Sequence, residues 1–180
     1  VTERNTSIPP YPVAAKTVKV EAGASKEDLL KEAALMAMFD HGNITRLVGV
    51  ITSPSDMPAL LVMEYCEHGP LDSFVSGKSN EALPMSMRLS FVADAATGLA
   101  YLSARRVIHR DVAARNVLLD SAFQCQIADF GMSAVLGNDG EYAKSYVRVH
   151  GELPVRWASV EVLVEGRYST ESDVWAYGVM

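Results

Sequence analysis

The stretch His109-Arg110-Asp111-Val112-Ala113-Ala114-Arg115-Asn116 decides the reading of this chain. It sets an acid, a base and a carboxamide at fixed spacing between a long helical pattern and a short apolar run. Asp129-Phe130-Gly131 follows at the end of the next apolar run, Gln124–Ala128. Upstream, strand alternation over Val13–Val20 places Ala14, Lys16, Val18 and Val20 on one face. A lysine among apolar neighbours is out of place there. Taken singly, Lys16 suits a surface ion pair, Asp111 a turn and His109 a packing position. Their order along one chain makes them a set.

The segments between these residues read as a small sheet with one helix, then mainly helix. Ser25 and Asp28 match a capping box that opens a helix running to about Phe39. Leu29, Ala33, Met36 and Ala37 form its stripe, with Glu32 beside it. Strands are predicted over Arg46–Ile51 and Ala59–Tyr65, and a helical turn over Leu71–Val75. Pro84 at a first helical position opens a longer helix to about Ala104, with Leu89, Val92, Ala96 and Leu99 as its apolar stripe. Short strands follow at Val117–Leu119 and Gln124–Ala128. Residues 132–153 read as a long loop with few apolar anchors, a length that is usually functional.

Bulk properties narrow the classes. Of the 180 residues 49% are apolar and 21% charged, the balance of a globular protein, so disorder is a poor description. The net charge of -6 and the lack of a basic run argue against nucleic acid or an anionic membrane as main partners. Cys66 and Cys125 stand far apart with no CxxC, which excludes a disulfide framework or zinc site and suits a reducing, cytoplasmic compartment. Apolar runs such as Ala59–Met63 are too short to cross a bilayer. Asn5-Thr6-Ser7 and Asn43-Ile44-Thr45 match the glycosylation triplet, which is short enough to arise by chance.

With the two motifs in order, the chain resembles the eukaryotic protein kinase superfamily over essentially its whole length. Val13-Ala14-Ala15-Lys16 is similar to the family's VAxK strand, Glu32 to its helix partner, and Ser159-Val160-Glu161 to its APE segment. The resemblance implies an α+β, two-lobed kinase fold, with residues 1–66 as the smaller lobe and hinge and 67–180 as the larger, mainly helical lobe. It implies ATP and magnesium. Lys16 would bind the α- and β-phosphates, fixed by Glu32, while Asp129 and Asn116 would offer oxygens to the metal. Met63, Glu64 and Cys66 would line the hinge, and Ala14 and Leu118 would also touch the nucleotide. Asp111 would accept the proton of the substrate hydroxyl, with Arg115 beside it. His109, Phe130, Met36 and Leu47 match an apolar column joining the lobes, a structural role.

Two features resemble the tyrosine kinase group. Ala113 and Arg115 stand where serine/threonine kinases carry a different pattern with a lysine. Pro154-Val155-Arg156-Trp157 is similar to the wall that supports a substrate tyrosine. Protein substrates carrying tyrosine are the implied partners. Within the long loop, Tyr146 and, less strongly, Tyr142 are expected phosphorylation sites, with Arg110 as the contact for the phosphate.

There are departures. Val160 replaces the proline of APE, Gly42 replaces another common proline, and no glycine precedes Gly23, so the phosphate-covering glycine loop is expected upstream of Val1. Val1 is not Met, and the pattern runs on to Met180 with no stop signal, so the domain is expected to be cut at both ends. The helix near Thr170 carries Asp173, similar to the residue that anchors the catalytic loop. A chain lacking its remaining helices is expected to be poorly stable and inactive by itself. The parent could be cytosolic or the intracellular part of a membrane receptor. Competing readings are a silent kinase fold used as a binding module, and a dual-specificity kinase. The intact Lys16, Glu32, Asp111, Asn116 and Asp129 favour the enzyme.

Overall fold

The computed structural model describes residues 10–17, 25–52, 58–79, 82–137, 146–148 and 154–180. Three strands, β1 (Val13–Thr17), β2 (Leu47–Ile51) and β3 (Leu60–Glu64), form an antiparallel sheet in the order β1-β3-β2. Lys16 pairs with Leu61 and Val13 with Glu64. Alternation along β1 leaves Ala14 and Lys16 half-buried and Val13, Ala15 and Thr17 exposed. Val18 and Val20, expected on the same stripe, lie outside the described residues, as do Gly23 and Asn5–Ser7.

Helix α1 (Lys26–Met36) starts where the capping box predicts. Asp28 N–H donates to Ser25 Oγ at 3.2 Å and Ser25 N–H to Asp28 Oδ2 at 3.1 Å. Leu29, Glu32, Ala33 and Met36 are its buried residues. Ala37, expected on that stripe, is the exposed C-cap instead, one position past the last buried turn.

The remainder is mainly helical: α2 (Leu71–Val75), α3 (Met85–Ala104), α4 (Val160–Glu165) and α5 (Thr170–Val179). Pro84 is the N-cap of α3, one position earlier than predicted. The predicted stripe of α3 faces inward only in part, with Ala96 and Leu99 half-buried and Leu99 against the core. Leu89 and Val92 are exposed, and the buried line is Phe91, Ala95, Gly98 and Leu102. Gly98 decides the docking: a Cβ there would lie 2.7 Å from Asn43 O and 2.9 Å from Ile127 Cδ1, so only glycine allows this approach.

Short strands tie the helices together. β4 (Gly69–Pro70), β6 (Val117–Leu119) and β7 (Cys125–Ile127) form one small sheet, and β5 (Val107–Ile108) pairs with β8 (Ala134–Val135). β9 (Tyr146–Arg148) pairs with β10 (Arg167–Ser169). The span 132–153 is therefore not a bare loop, because β8 and β9 anchor two points of it. The sheet of β1–β3 is fastened to the helical part at residues 43–45. Ile127 N–H donates to Asn43 O, Thr45 N–H to Ile127 O and Asn43 Nδ2 to Cys125 O, each at 2.9 Å. Around this seam Met36, Leu61, Leu102, Ile127 and Phe130 make one apolar core, with Leu47 against it. The result is a two-lobed α+β fold.

Candidate active site

A cleft of about 290 Å³ opens where the three-stranded sheet meets the helical part. The predicted residues Ala14, Lys16, Glu32, Met63, Glu64, Arg115, Asn116, Leu118 and Asp129 line it, joined by Thr45 and Ala128. Cys66 does not. Its side chain is buried, with Sγ 3.5 Å from Gln126 Oε1.

Lys16 is held from two sides. Its Nζ donates to both Glu32 oxygens at 2.8 and 2.9 Å, from α1, and to Asp129 Oδ1 at 2.7 Å, from the helical part. Burial pulls the Lys16 pKa down, but the hydrogen bonds and charges of Asp129 and Glu32 outweigh it, and the net shift is upward. Burial pushes Asp129 up, Lys16 pulls it down more strongly, and it ends below the ordinary carboxylate value. The Asp129 side chain is 50% exposed, so the cluster serves position more than stability.

The loop 109–116 hangs from α5. Asp173 accepts His109 N–H at 2.6 Å and Arg110 N–H at 2.9 Å. Its burial raises its pKa despite these donors and the nearby positive charge. Arg110 (φ 71°) and Asp129 (φ 62°) both occupy the left-handed region, uncommon for residues with a Cβ and sustained here by the surrounding bonds. His109 is fully buried. Its Nδ1 accepts from Asp111 N–H at 3.3 Å, which leaves Nε2 to donate to Ala128 O at 3.0 Å. The ring also meets Phe130 edge-on at 5.2 Å. With both nitrogens used and no exposure, His109 is a strut of the loop.

Asp111 is the carboxylate this strut aims. Oδ1 accepts from Arg115 Nη2 and Oδ2 from Asn116 Nδ2 at 2.7 Å, while Asn116 Nδ2 also bonds Asp111 O at 2.8 Å. The Arg115 guanidinium lies 4.4 Å from the Trp157 ring centroid, which links the Pro154–Trp157 wall to the loop. Arg110 lies 4.8 Å from the Tyr168 ring, and burial lowers its pKa. Tyr146 stands in β9; Tyr142 lies outside the described residues.

The donor set fits a small hard cation. Asp129 Oδ1 is taken by Lys16, and Oδ2 has no hydrogen bond among the described residues. Asn116 spends its amide nitrogen on Asp111, which leaves its oxygen for a ligand. One carboxylate and one neutral oxygen, completed by phosphate oxygens and water, is the habit of magnesium. Among the described residues no group of three or more His, Cys, Asp or Glu forms a metal cage of its own.

Sequence reasoning missed Thr45 and Asn43. Both are buried, Thr45 in the lining of the cleft with an Oγ1 lacking a hydrogen bond among the described residues. The available signal was polar residues beside Ile44 at the start of an apolar strand.

The fold and this constellation define a protein kinase catalytic core. Comparison with known proteins agrees. The model of the family described as protein tyrosine and serine/threonine kinase matches residues 2–180, and the chain belongs to that family. It is similar to ephrin type-A receptor 5 of Gallus gallus, 39% identical over 171 residues that cover 94% of this chain and 16% of the relative. It is also similar to ephrin type-A receptor 3 of Danio rerio, 40% identical over 171 residues covering 93% and 17%. The chain spans less than a fifth of the length of these curated relatives. No helix among the described residues is long and apolar enough to cross a membrane.

Proposed function

We propose that the protein carrying this chain transfers the γ-phosphate of ATP to tyrosine hydroxyls of protein substrates. The observation that carries this reading is Asp111, bonded to Arg115 and Asn116, which line the same cleft as Lys16, Glu32 and Asp129. Phosphoryl transfer needs positioning and charge neutralisation more than covalent help. Residues 1–66 act as one lobe and 67–180 as the other, with the nucleotide between them. Lys16, kept protonated and aimed by Glu32, takes the α- and β-phosphates. Ala14, Met63, Leu118 and the backbone from Glu64 to Cys66 enclose the base. Asn116 and Asp129 would hold magnesium, which supplies charge neutralisation to the phosphates. Asp111 accepts the phenol proton as the oxygen attacks phosphorus.

Tyrosine is favoured over serine by the Arg115–Trp157 contact. Arg115 occupies ground beside Asp111 and rests on Trp157, so the wall at Pro154 sets the depth at which a hydroxyl meets the carboxylate. Tyr146, and Tyr142 with less support, would be phosphorylation sites of the loop. The domain would work in the cytoplasm, either free or on the inner side of a receptor.

Asp111→Asn tests the mechanism. It keeps the shape but turns one acceptor oxygen into an amide N–H, which removes the base and gives up one of the two contacts from Arg115 and Asn116. Turnover is expected to fall by about 10²- to 10⁴-fold, with ATP affinity by calorimetry unchanged. Turnover that survives would overturn the assignment of Asp111.

A further inference from the structure

We infer that Arg167 is the cation that receives a phosphate placed on Tyr146, exchanging its present partner Glu165 for the phosphate. This rests on the reading of Tyr146 as a phosphorylation site. The family resemblance points instead to Arg110 as the phosphate contact, and the geometry departs from it.

Tyr146 pairs with Ser169, Val147 with Tyr168 and Arg148 with Arg167. In an antiparallel pair the diagonal positions i and j−2 share a face and long side chains meet across them. Tyr146 and Arg167 are such a diagonal. Val147 and Tyr168 take the opposite face, which packs inward against Val162 and Leu136. The outer face therefore sets the phenol against a guanidinium, and Arg167 Cζ lies 5.5 Å from the Tyr146 ring centroid. Arg110 stands on the inner side, stacked 4.8 Å from the ring of Tyr168.

Arg167 is also free to change partners. Its Nε lies 3.4 Å from Glu165 Oε2, but Nε has no hydrogen bond among the described residues, so the contact is an ion pair without directional hold. The Arg167 and Glu165 side chains are 41% and 48% exposed, where one carboxylate binds weakly. A phosphate brings about −1.5 to −2 charges and three acceptor oxygens, enough to displace it and to engage the guanidinium by two parallel bonds.

The phenol oxygen of Tyr146 forms a bond to the γ-phosphorus of ATP, the bond from that phosphorus to the β–γ bridging oxygen breaks, the phenol proton passes to the base, and ADP leaves. Phosphate on Tyr146 then ties β9 to β10 through side chains as well as backbone. That closes the strand pair beside α5, the helix that carries Asp173 under the catalytic loop.

The test uses the full-length protein with the Tyr146 phosphate installed by a separate tyrosine kinase, so its own activity is not needed. Phosphatase release of that phosphate and its ³¹P titration are read in the parent, Arg167→Gln, Arg110→Gln, Arg148→Gln and Glu165→Gln proteins, each checked for cooperative melting. Arg167→Gln is expected to speed release by about tenfold and to return the phosphate pKa to the value of about 6 found for a free phosphomonoester. Glu165→Gln is expected to slow release, since it removes the competitor. Release unchanged in Arg167→Gln, or accelerated only in Arg110→Gln or Arg148→Gln, would overturn the inference. Transfer from ATP to a tyrosine peptide, assayed separately, judges the proposed function and leaves this result standing.

Discussion

Asp111 shows at the residue scale how function is written in residue type. On the proposed reading its carboxylate, the Asn116 amide, the Lys16 ammonium and the Asp129 carboxylate answer the chemistry of phosphates and protons, so they are legible in a sequence without any fold. Thr45 and Asn43 are not, because their roles come from Ile127 and Cys125, neighbours met only after folding. The cysteines make the same point. Burial, then the charges of Glu64 and Asp120, pushes the Cys66 thiol up to about 11, and burial with Asp94 and Asp120 pushes Cys125 up to about 12. Both are therefore expected to resist iodoacetamide at pH 8 in the folded chain and to react after denaturation, as counted by mass spectrometry. The sign for stability follows. The unfolded thiols ionise first, near 9, so their contribution is constant below pH 9 and declines as pH rises towards 11 and 12.

Among the elements, α1 was legible to its first residue because a capping box is local chemistry: Ser25 and Asp28 need only each other. Helix α3 was legible in extent but only partly in facing. It carries apolar residues on more than one side, and periodicity cannot choose between two apolar faces. Gly98 chooses, since it alone lets α3 close on Asn43 and Ile127. Gly98→Ala should therefore force the seam apart and cost about 1–3 kcal/mol, seen as a lower Tm. Leu89→Ser, on the face expected to be buried but 60% exposed, should leave Tm nearly unchanged. Equal losses from both would contradict the facing described here. The strands β8 and β9 escaped sequence reading because each is two or three residues long and owes its form to a distant partner.

Across the whole molecule, the site depends on elements far apart in the chain. Asp173 on α5 holds the backbone of His109 and Arg110, and Lys16 on β1 reaches Asp129 beyond β7. Asp173→Ala would strand the buried His109 N–H, at a cost of about 1–3 kcal/mol, and the part-buried Arg110 N–H. Thermal melting should shift down and turnover should fall, while the Lys16–Glu32 pair persists. An unchanged melt would show that the loop does not hang from α5. Val92 on α3 and Val174 and Trp175 on α5 are exposed and leave apolar surface on both helices.

The central claim is that this cleft phosphorylates tyrosine with Asp111 as base. Its most direct test is phosphoamino-acid analysis of a mixed serine, threonine and tyrosine peptide pool after incubation with the full-length protein, labelled ATP and magnesium. The account predicts label on tyrosine alone, absent with Asp111→Asn. Label on serine or threonine, or label on tyrosine that persists in Asp111→Asn, would contradict it.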